Sequence, residues 1–209
     1  MSRVTETTKG CARMRLAITG FFRDRTGVAA IEFAIILPMM LVMLFGTVEF
    51  SSALAVDRKV SLVARALANL TSQGTQATST DLANYYVAGN KIMTPYAAPN
   101  MTITELYIDP SSGNARVQWS DGYAPHGLKQ VITIPSTLIA TNPSTGAINP
   151  NQYVILSEVN TTYTPLAIPL VSALMPASVT LSDVAYSIPR QSTCVFYLST
   201  PSPANCPTQ

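Results

Sequence analysis

A nearly uninterrupted apolar stretch close to the N-terminus constrains this chain more than any other feature. Residues 28–48 read VAAIEFAIILPMMLVMLFGTV and contain a single charged side chain, Glu32. At the rise of an α-helix this stretch is about 30 Å long, which matches the hydrocarbon thickness of a bilayer. An ionised carboxylate that faces lipid costs a few kcal/mol, so a carboxylate kept there is expected to have a function. The sequence therefore predicts a membrane-spanning helix that carries one functional carboxylate.

The distribution of charge predicts how this helix is oriented. Residues 1–27 contain six basic and two acidic side chains, whereas the part from Ser51 onward contains seven of each. The flank of a span that is rich in Lys and Arg stays in the cytoplasm. We therefore expect a cytoplasmic N-terminus and an exported C-terminal part. Because that exported part has no basic excess, we expect no nucleic-acid partner.

The helical pattern continues beyond the apolar stretch. Apolar residues recur at alternating spacings of four and three, which draws one stripe along a helix, with Arg58 and Arg65 on the opposite side. The stripe consists of Val56, Val60, Val63, Leu67 and Leu70. This spacing predicts an amphipathic extension of the same helix. It leaves open whether the stripe packs against the chain's own domain or against a neighbouring subunit.

Two further residues of the long helix carry predictions of their own. Pro38 lies inside the apolar stretch and removes one backbone hydrogen bond, so we expect a kink there. Glu49 lies at the far end, where we expect a carboxylate exposed to water near the membrane interface.

The remainder of the chain predicts an α+β domain with an antiparallel sheet. Thr71–Thr80 reads as a linker in which Gly74 stops the helix, and a short helix is expected over Asp81–Met93 with Ser79 or Thr80 as its N-cap. Met101–Ile108 and Ala115–Ser120 predict a hairpin around the turn sequence DPSSGN. Further strands are predicted at Gln130–Ile134, Tyr153–Tyr163, Val179–Ile188 and Val195–Leu198. The apolar segment Pro165–Pro176 is too short to span a membrane, so we expect a buried loop or an interface.

These patterns divide the chain into five regions. We predict a basic cytoplasmic leader (1–27), a transmembrane helix (28–50), an amphipathic helix extension (51–72), a linker with a short helix (73–100) and a mostly β periplasmic domain (101–209).

The cysteines agree with this topology. Cys11 lies in the leader, whereas Cys194 and Cys206 lie twelve residues apart in the exported part. Such a pair favours an intrachain disulfide in an oxidising compartment, the alternative being two free thiols. A metal site is not expected, because no histidine accompanies the pair and no CxxC spacing occurs.

Residues that could carry enzyme chemistry are few. Ser120, Asp121 and His126 lie close together in the sequence, but a catalytic triad is defined by geometry and these residue types co-occur in many chains. No phosphate-binding, dinucleotide-binding or zinc-protease motif occurs. We therefore expect no enzyme activity, no catalytic residue, no cofactor and no small-molecule substrate.

A group of aromatic residues supports two interpretations. Trp119, Tyr107, Tyr123 and Tyr153 could form an aromatic binding patch, although packing in the core is the more common role.

The opening stretch resembles a known processing signal. Gly27, the four residues VAAI, then Glu32-Phe33 and an apolar helix interrupted by Pro38 resemble the class III signal of type IV pilins and pseudopilins. In detail, GVAAIEFAIILPMMLVMLFGTVEFSSAL is similar to the TadE-like family of tight-adherence (Flp pilus) assembly proteins, and the resemblance extends over residues 25–72. The segment LSDVAYSIPRQSTCV is also similar to the end of periplasmic domains of that family.

The resemblance implies a function and a set of site residues. A prepilin peptidase would cut between Gly27 and Val28, with Arg23 and Arg25 holding the cut at the cytoplasmic face. Glu32, followed by Phe33, would partner the new amine of Val28 in its own or an adjacent subunit. The protein would then be a pseudopilin of the inner membrane.

The implied partners are the prepilin peptidase, other pilins or pseudopilins and the tight-adherence secretion machine. Whether the protein enters the filament stays open. Pilins usually have Phe where this chain has Val28, so N-methylation of the new amine stays open as well.

Two alternatives remain at this point. Ala53-Leu54-Ala55 resembles a signal peptidase site, which would make the chain a secreted binding protein with a Sec signal. A membrane-anchored periplasmic enzyme that uses His126 is the other.

Overall fold

The computed structural model describes residues 27–165, 178–198 and 206. Predictions made for the leader before Gly27, and for the segment Pro165–Pro176 beyond its first residue, lie outside the described residues. By internal packing the chain divides into two compact units, Met1–Val48 and Glu49–Gln209.

The first element, α1, is one helix over Val28–Ser72, and Pro38 lies inside it without ending it. This confirms the predicted continuation from the apolar stretch into the amphipathic extension. In the second unit the apolar stripe is buried: Val56, Val60, Val63 and Leu67 are each at most 2% exposed. They pack in one cluster with residues of the sheet such as Ile103 and Ile155. The stripe therefore packs against the chain's own domain, which resolves the alternative that the spacing left open.

A second helix, α2, spans Ser79–Met93 and packs on α1. Its N-cap is Thr78, whose hydroxyl accepts from the Asp81 backbone N–H while the Asp81 side chain accepts from the Thr78 backbone N–H. This reciprocal pair satisfies two helix-end donors. The N-cap is therefore one residue before Ser79 and two before Thr80, the two predicted caps. At the other end, Lys59 Nζ donates to the carbonyl oxygens of Ile92 and Thr94, where a cation complements the helix dipole.

The main sheet has five strands in the order β4-β3-β2-β5-β6, and all neighbouring pairs are antiparallel. The strands are β2 (Asn100–Ile108), β3 (Ala115–Gly122), β4 (Val131–Ile132), β5 (Gln152–Tyr163) and β6 (Val179–Ser187). The α+β class and the β2–β3 hairpin are thus confirmed. The strand predicted at Gln130–Ile134 is reduced to two residues.

A separate two-stranded sheet was not predicted. Strand β1 (Gln76–Ala77) pairs in parallel with β7 (Phe196–Tyr197). It therefore joins the polar segment predicted as a linker to the C-terminal segment, next to the end of α1.

Both faces of the main sheet are covered. The helices cover one face, where Met101, Ile103 and Trp119 are buried. The opposite face packs against the segment that follows β4, with a 3-10 turn at Ser136–Leu138 and with Leu106, Val117 and Leu156 in a second cluster. As a result β2 is buried along nearly its whole length.

Candidate functional site

The predicted processing site lies at the first turn of α1. Gly27 precedes the helix, and Val28, its first residue, is 50% exposed. A Cβ added at Gly27 would meet no atom within 4 Å, so the packing of the described residues does not require glycine there.

Glu32 and Phe33 lie one turn into the helix and are exposed. Residues four apart lie on the same side of an α-helix with Cβ atoms roughly 5–6 Å apart, so Glu32 and Val28 share one side. If a chain began at Val28, its ammonium group would lie within reach of the Glu32 carboxylate.

The surface around these residues is apolar and open. An 18-residue window of α1 has a mean hydropathy of 2.5 and no buried residue, and α1 is long and apolar enough to cross a membrane. The exposed side chains of the first unit include Ile31, Phe33, Ile35, Ile36, Met39, Met40, Met43 and Leu44. An apolar surface without buried residues is suited to lipid or to the helices of other membrane proteins. Pro38 lies within this surface, and its kink stays a prediction.

Glu49, the first residue of the second unit, differs from its prediction. It is 5% exposed, and its Oε2 accepts a hydrogen bond of 2.7 Å from the Tyr163 hydroxyl at the end of β5. The expectation of a carboxylate in water was wrong, because Tyr163 at the end of β5 contacts Glu49 where α1 enters the second unit. Burial, and secondarily the Glu49 contact, raises the pKa of Tyr163. The sequence contains no signal for this pair, since its members are 114 positions apart.

A second buried carboxylate, Glu105 on β2, holds the C-terminal segment. It is 0% exposed, and its two oxygens accept from the Val195 backbone N–H at 2.6 Å and from Trp119 Nε1 at 2.9 Å. The same Trp119 Nε1 also lies 2.8 Å from the Val195 carbonyl oxygen. Burial raises the pKa of Glu105 to about 8, against the lowering effect of these two donors. Cys194, which precedes Val195, is fully buried and forms a disulfide with Cys206, as predicted.

Glu105 was missed as a special residue, although one signal was available. It alternates with Met101, Ile103 and Tyr107 along β2, and a period of two places all four on one face. Because that face packs on the helices, the alternation along β2 predicts that the Glu105 side chain is buried.

The three residues considered for catalysis are not brought together as a triad. The His126 ring Nε2 lies 2.5 Å from Glu158 Oε2, and Ser120 Oγ is 2.7 Å from Thr104 Oγ1. Asp121 accepts from the hydroxyls of two tyrosines on other elements. Within residues 27–165, 178–198 and 206, no group of three His, Cys, Asp or Glu side chains is arranged to hold a metal ion.

Three of the four aromatic residues belong to the core. Trp119, Tyr107 and Tyr153 are at most 8% exposed, and the Tyr107 and Tyr153 rings lie 5.2 Å apart. Trp119 stacks on Tyr197 of β7 with the same centroid separation. Tyr123 is 71% exposed and stands apart from this group. The packing interpretation is therefore correct for all but Tyr123.

Together these features define a class of protein with one exposed apolar N-terminal helix and an α+β domain closed by a disulfide. Residues 27–69 match the family model described as TadE-like protein, which confirms the resemblance seen in the sequence. That match suggests involvement in the assembly of tight-adherence pili. Neither the curated proteins nor the solved structures contain a match to this chain.

Proposed function

We propose that this protein is a pseudopilin-type component that helps to assemble tight-adherence pili. Its exposed apolar helix would be the inner-membrane anchor, and the domain that begins at Glu49 would lie in the periplasm. The observation that carries the proposal is the combination of an apolar surface without buried residues with Glu32, inside the segment that matches the TadE-like family. A helix serving only as an anchor would not need a carboxylate one turn from its start.

The first step of the proposal is cleavage between Gly27 and Val28 by a prepilin peptidase. Two features support it. Gly27 stands directly before the helix, and the packing of the described residues places no demand on it. The basic residues of the leader, with Arg23 and Arg25 nearest the cut, would hold this bond at the cytoplasmic face of the membrane.

The second step is neutralisation of Glu32. Cleavage creates an ammonium group on Val28, and Glu32 lies on the same side of the helix one turn away. A salt bridge between them removes the cost of an isolated charge in lipid. The partner amine belongs either to the same chain or to an adjacent subunit. In the second arrangement the pair sets the axial position of two neighbouring helices, and Phe33 lies beside the contact.

The alternative of a Sec signal is less consistent with the contacts of Glu49. Cleavage after Ala55 would remove Glu49 and leave the Tyr163 hydroxyl without its carboxylate partner. Ala53 and Ala55 are half-buried within α1, and Val56, the next residue, is in the core. These contacts support a mature protein that retains the helix on both sides of residue 55.

The test replaces Glu32 by Gln in cells that make these pili. We expect the variant to enter the membrane and to be processed, because the change removes a charge from an apolar segment. Assembly should fall at least tenfold, measured as pili per cell and as recovery of the protein with other pilus components. Glu32→Asp, which keeps the charge, should restore part of the function.

Glu49→Gln is the matched control. It removes a carboxylate from the same helix at a buried position that is bonded to Tyr163 of the chain's own domain, so assembly should continue. Normal piliation with Glu32→Gln would contradict the role proposed for Glu32.

A further inference from the structure

A groove on the domain lies between the start of β2, the end of β3 and α2. Its volume is about 330 Å³, and its lining includes Tyr86, Met101, Asp121 and Tyr123. None of the lining residues is basic. The groove is formed by residues of the second unit only.

The acidic group of this groove is Asp121. Its Oδ1 accepts from the Tyr86 hydroxyl at 2.9 Å and its Oδ2 accepts from the Tyr197 hydroxyl at 3.0 Å. These two donors orient the carboxylate but bring no positive charge to it. The ion pairs among the described residues join Arg116 to Asp109 and His126 to Glu158, and neither includes Asp121.

Tyr123 is the aromatic residue at the edge of the groove. Its backbone is held by hydrogen bonds, and its side chain is exposed. Its backbone N–H donates to the Met101 carbonyl oxygen at 2.9 Å, and the next residue, Ala124, donates to Thr102 Oγ1 at 3.2 Å. Gly122 permits this close approach, because it has a φ of +131° and an added Cβ would collide with the Met101 carbonyl oxygen. These contacts fix the backbone at the edge of the groove and leave the Tyr123 side chain accessible to a ligand.

We propose that this groove binds a lysine or arginine side chain of a partner protein. A carboxylate that shares a groove with the exposed Tyr123 suits a cation with an apolar stem, since the carboxylate can pair with the charge and the aromatic ring can attract it. Charge complementarity favours this occupant over a neutral one. The chain does not supply the cation from its remaining exported segments, because residues 166–177, 199–205 and 207–209 contain no Lys or Arg.

The test uses the full chain in an uncharged detergent, with fluorotyrosine incorporated so that Tyr86 and Tyr123 report by ¹⁹F NMR. The probes are N-acetyl-arginine methylamide and N-acetyl-citrulline methylamide, which have nearly the same shape but differ in charge. We expect the arginine probe to shift both resonances, and its affinity to exceed that of the citrulline probe by about tenfold or more. Added salt should weaken its binding.

Two variants localise the effect. Asp121→Asn keeps the size of the side chain and should lower the affinity for the arginine probe about tenfold. Asp57→Asn removes an equal charge from an exposed position of α1 and should leave the affinity unchanged.

Equal binding of both probes, unchanged affinity in Asp121→Asn, or an equal loss in Asp57→Asn would each overturn the proposal. Shifts produced by N-acetylglucosamine and not by the arginine probe would instead identify a saccharide site and would also overturn it. Because the readout is confined to the groove, none of these results bears on pilus assembly.

Discussion

The two parts of α1 have the same secondary structure but opposite environments. In the first unit its large apolar side chains are exposed, as with Ile35 at 71% and Met43 at 68%. In the second unit equivalent side chains are fully buried, as with Val60 and Leu67 at 0%. A single helix therefore contains one part that packs on the chain's own domain and one part whose apolar side chains are exposed among the described residues.

This difference can be compared with the extent of the family match. The TadE-like match covers residues 27–69 and so includes both parts of the helix, whereas the strands that bury the second part lie beyond it. The exposed part is accordingly the proposed membrane and assembly surface, and the buried part is the attachment of that surface to a domain. Four stability measurements sharpen this comparison, and each uses the only tryptophan, the buried Trp119, as the reporter of domain unfolding.

The largest effect is expected from matched truncations in the two parts of α1. Leu67→Ala should lower the free energy of unfolding of the domain by about 2–5 kcal/mol, because it leaves a cavity beneath the sheet. Ile35→Ala removes exposed surface and should leave domain unfolding unchanged. Urea denaturation of the full chain in detergent measures both. Equal decreases in the free energy of unfolding would show that both parts of α1 contribute alike to the stability of the domain, which contradicts the comparison.

The disulfide gives the next effect. Replacing Cys194 and Cys206 together by Ser should destabilise the domain by roughly 3 kcal/mol, since the bond restricts the unfolded chain. Cys11→Ser, a change in the leader, serves as the control and should have no effect on domain unfolding. A stability that does not change in the double variant would contradict a structural role for the bond.

The buried Glu105 predicts a dependence on pH. Its pKa is about 8 in the folded state against an ordinary value of 4.5, so below pH 4.5 the group is neutral in both states. As the pH rises, the unfolded chain loses this proton first, and stability falls until the folded group also ionises near pH 8. The slope between these values approaches 1.4 kcal/mol per pH unit.

Glu105→Gln should remove this contribution, which is measured as the difference in unfolding free energy between the original chain and the variant at several pH values. Glu32→Gln, a matched change in the exposed part of α1, should leave the original slope intact. A Glu105→Gln variant with an unchanged slope would show that Glu105 ionises normally.

The smallest effect concerns the contact between Glu49 and β5. Tyr163→Phe removes one partly buried hydrogen bond to a carboxylate and should lower the free energy of unfolding by about 1–2 kcal/mol. Tyr123→Phe, at an exposed hydroxyl, should cost nothing measurable. Equal free energies of unfolding for the two variants would mean that the hydrogen bond between Tyr163 and Glu49 does not stabilise the domain.

Local patterns in the sequence predicted much of this fold. A single helix over both parts of α1, the hairpin of β2 and β3, the disulfide and the TadE-like resemblance all follow from spacing or motif over short distances. Hydrophobic periodicity decides such features because each residue's environment repeats along one element.

The features that were missed depend on residues far apart in the chain. Glu49 is buried where Tyr163 contacts it from the end of β5. A strand was predicted at Val195–Leu198, which contains β7, but its partner β1 was not, because β1 exists only through a pairing that joins residues 76–77 to residues 196–197. Two-residue strands contain too few positions to show a period. The Asp121 groove likewise combines three elements, and no local pattern marks it.

The N-terminus of the mature protein tests the proposed processing most directly. The protein would be purified from membranes of cells with an active prepilin peptidase, and its N-terminal peptide identified by mass spectrometry. The account predicts Val28 as the first residue, and it predicts the uncut chain in cells that lack the peptidase. An intact leader in the presence of the peptidase, or a first residue at Val56, would contradict it.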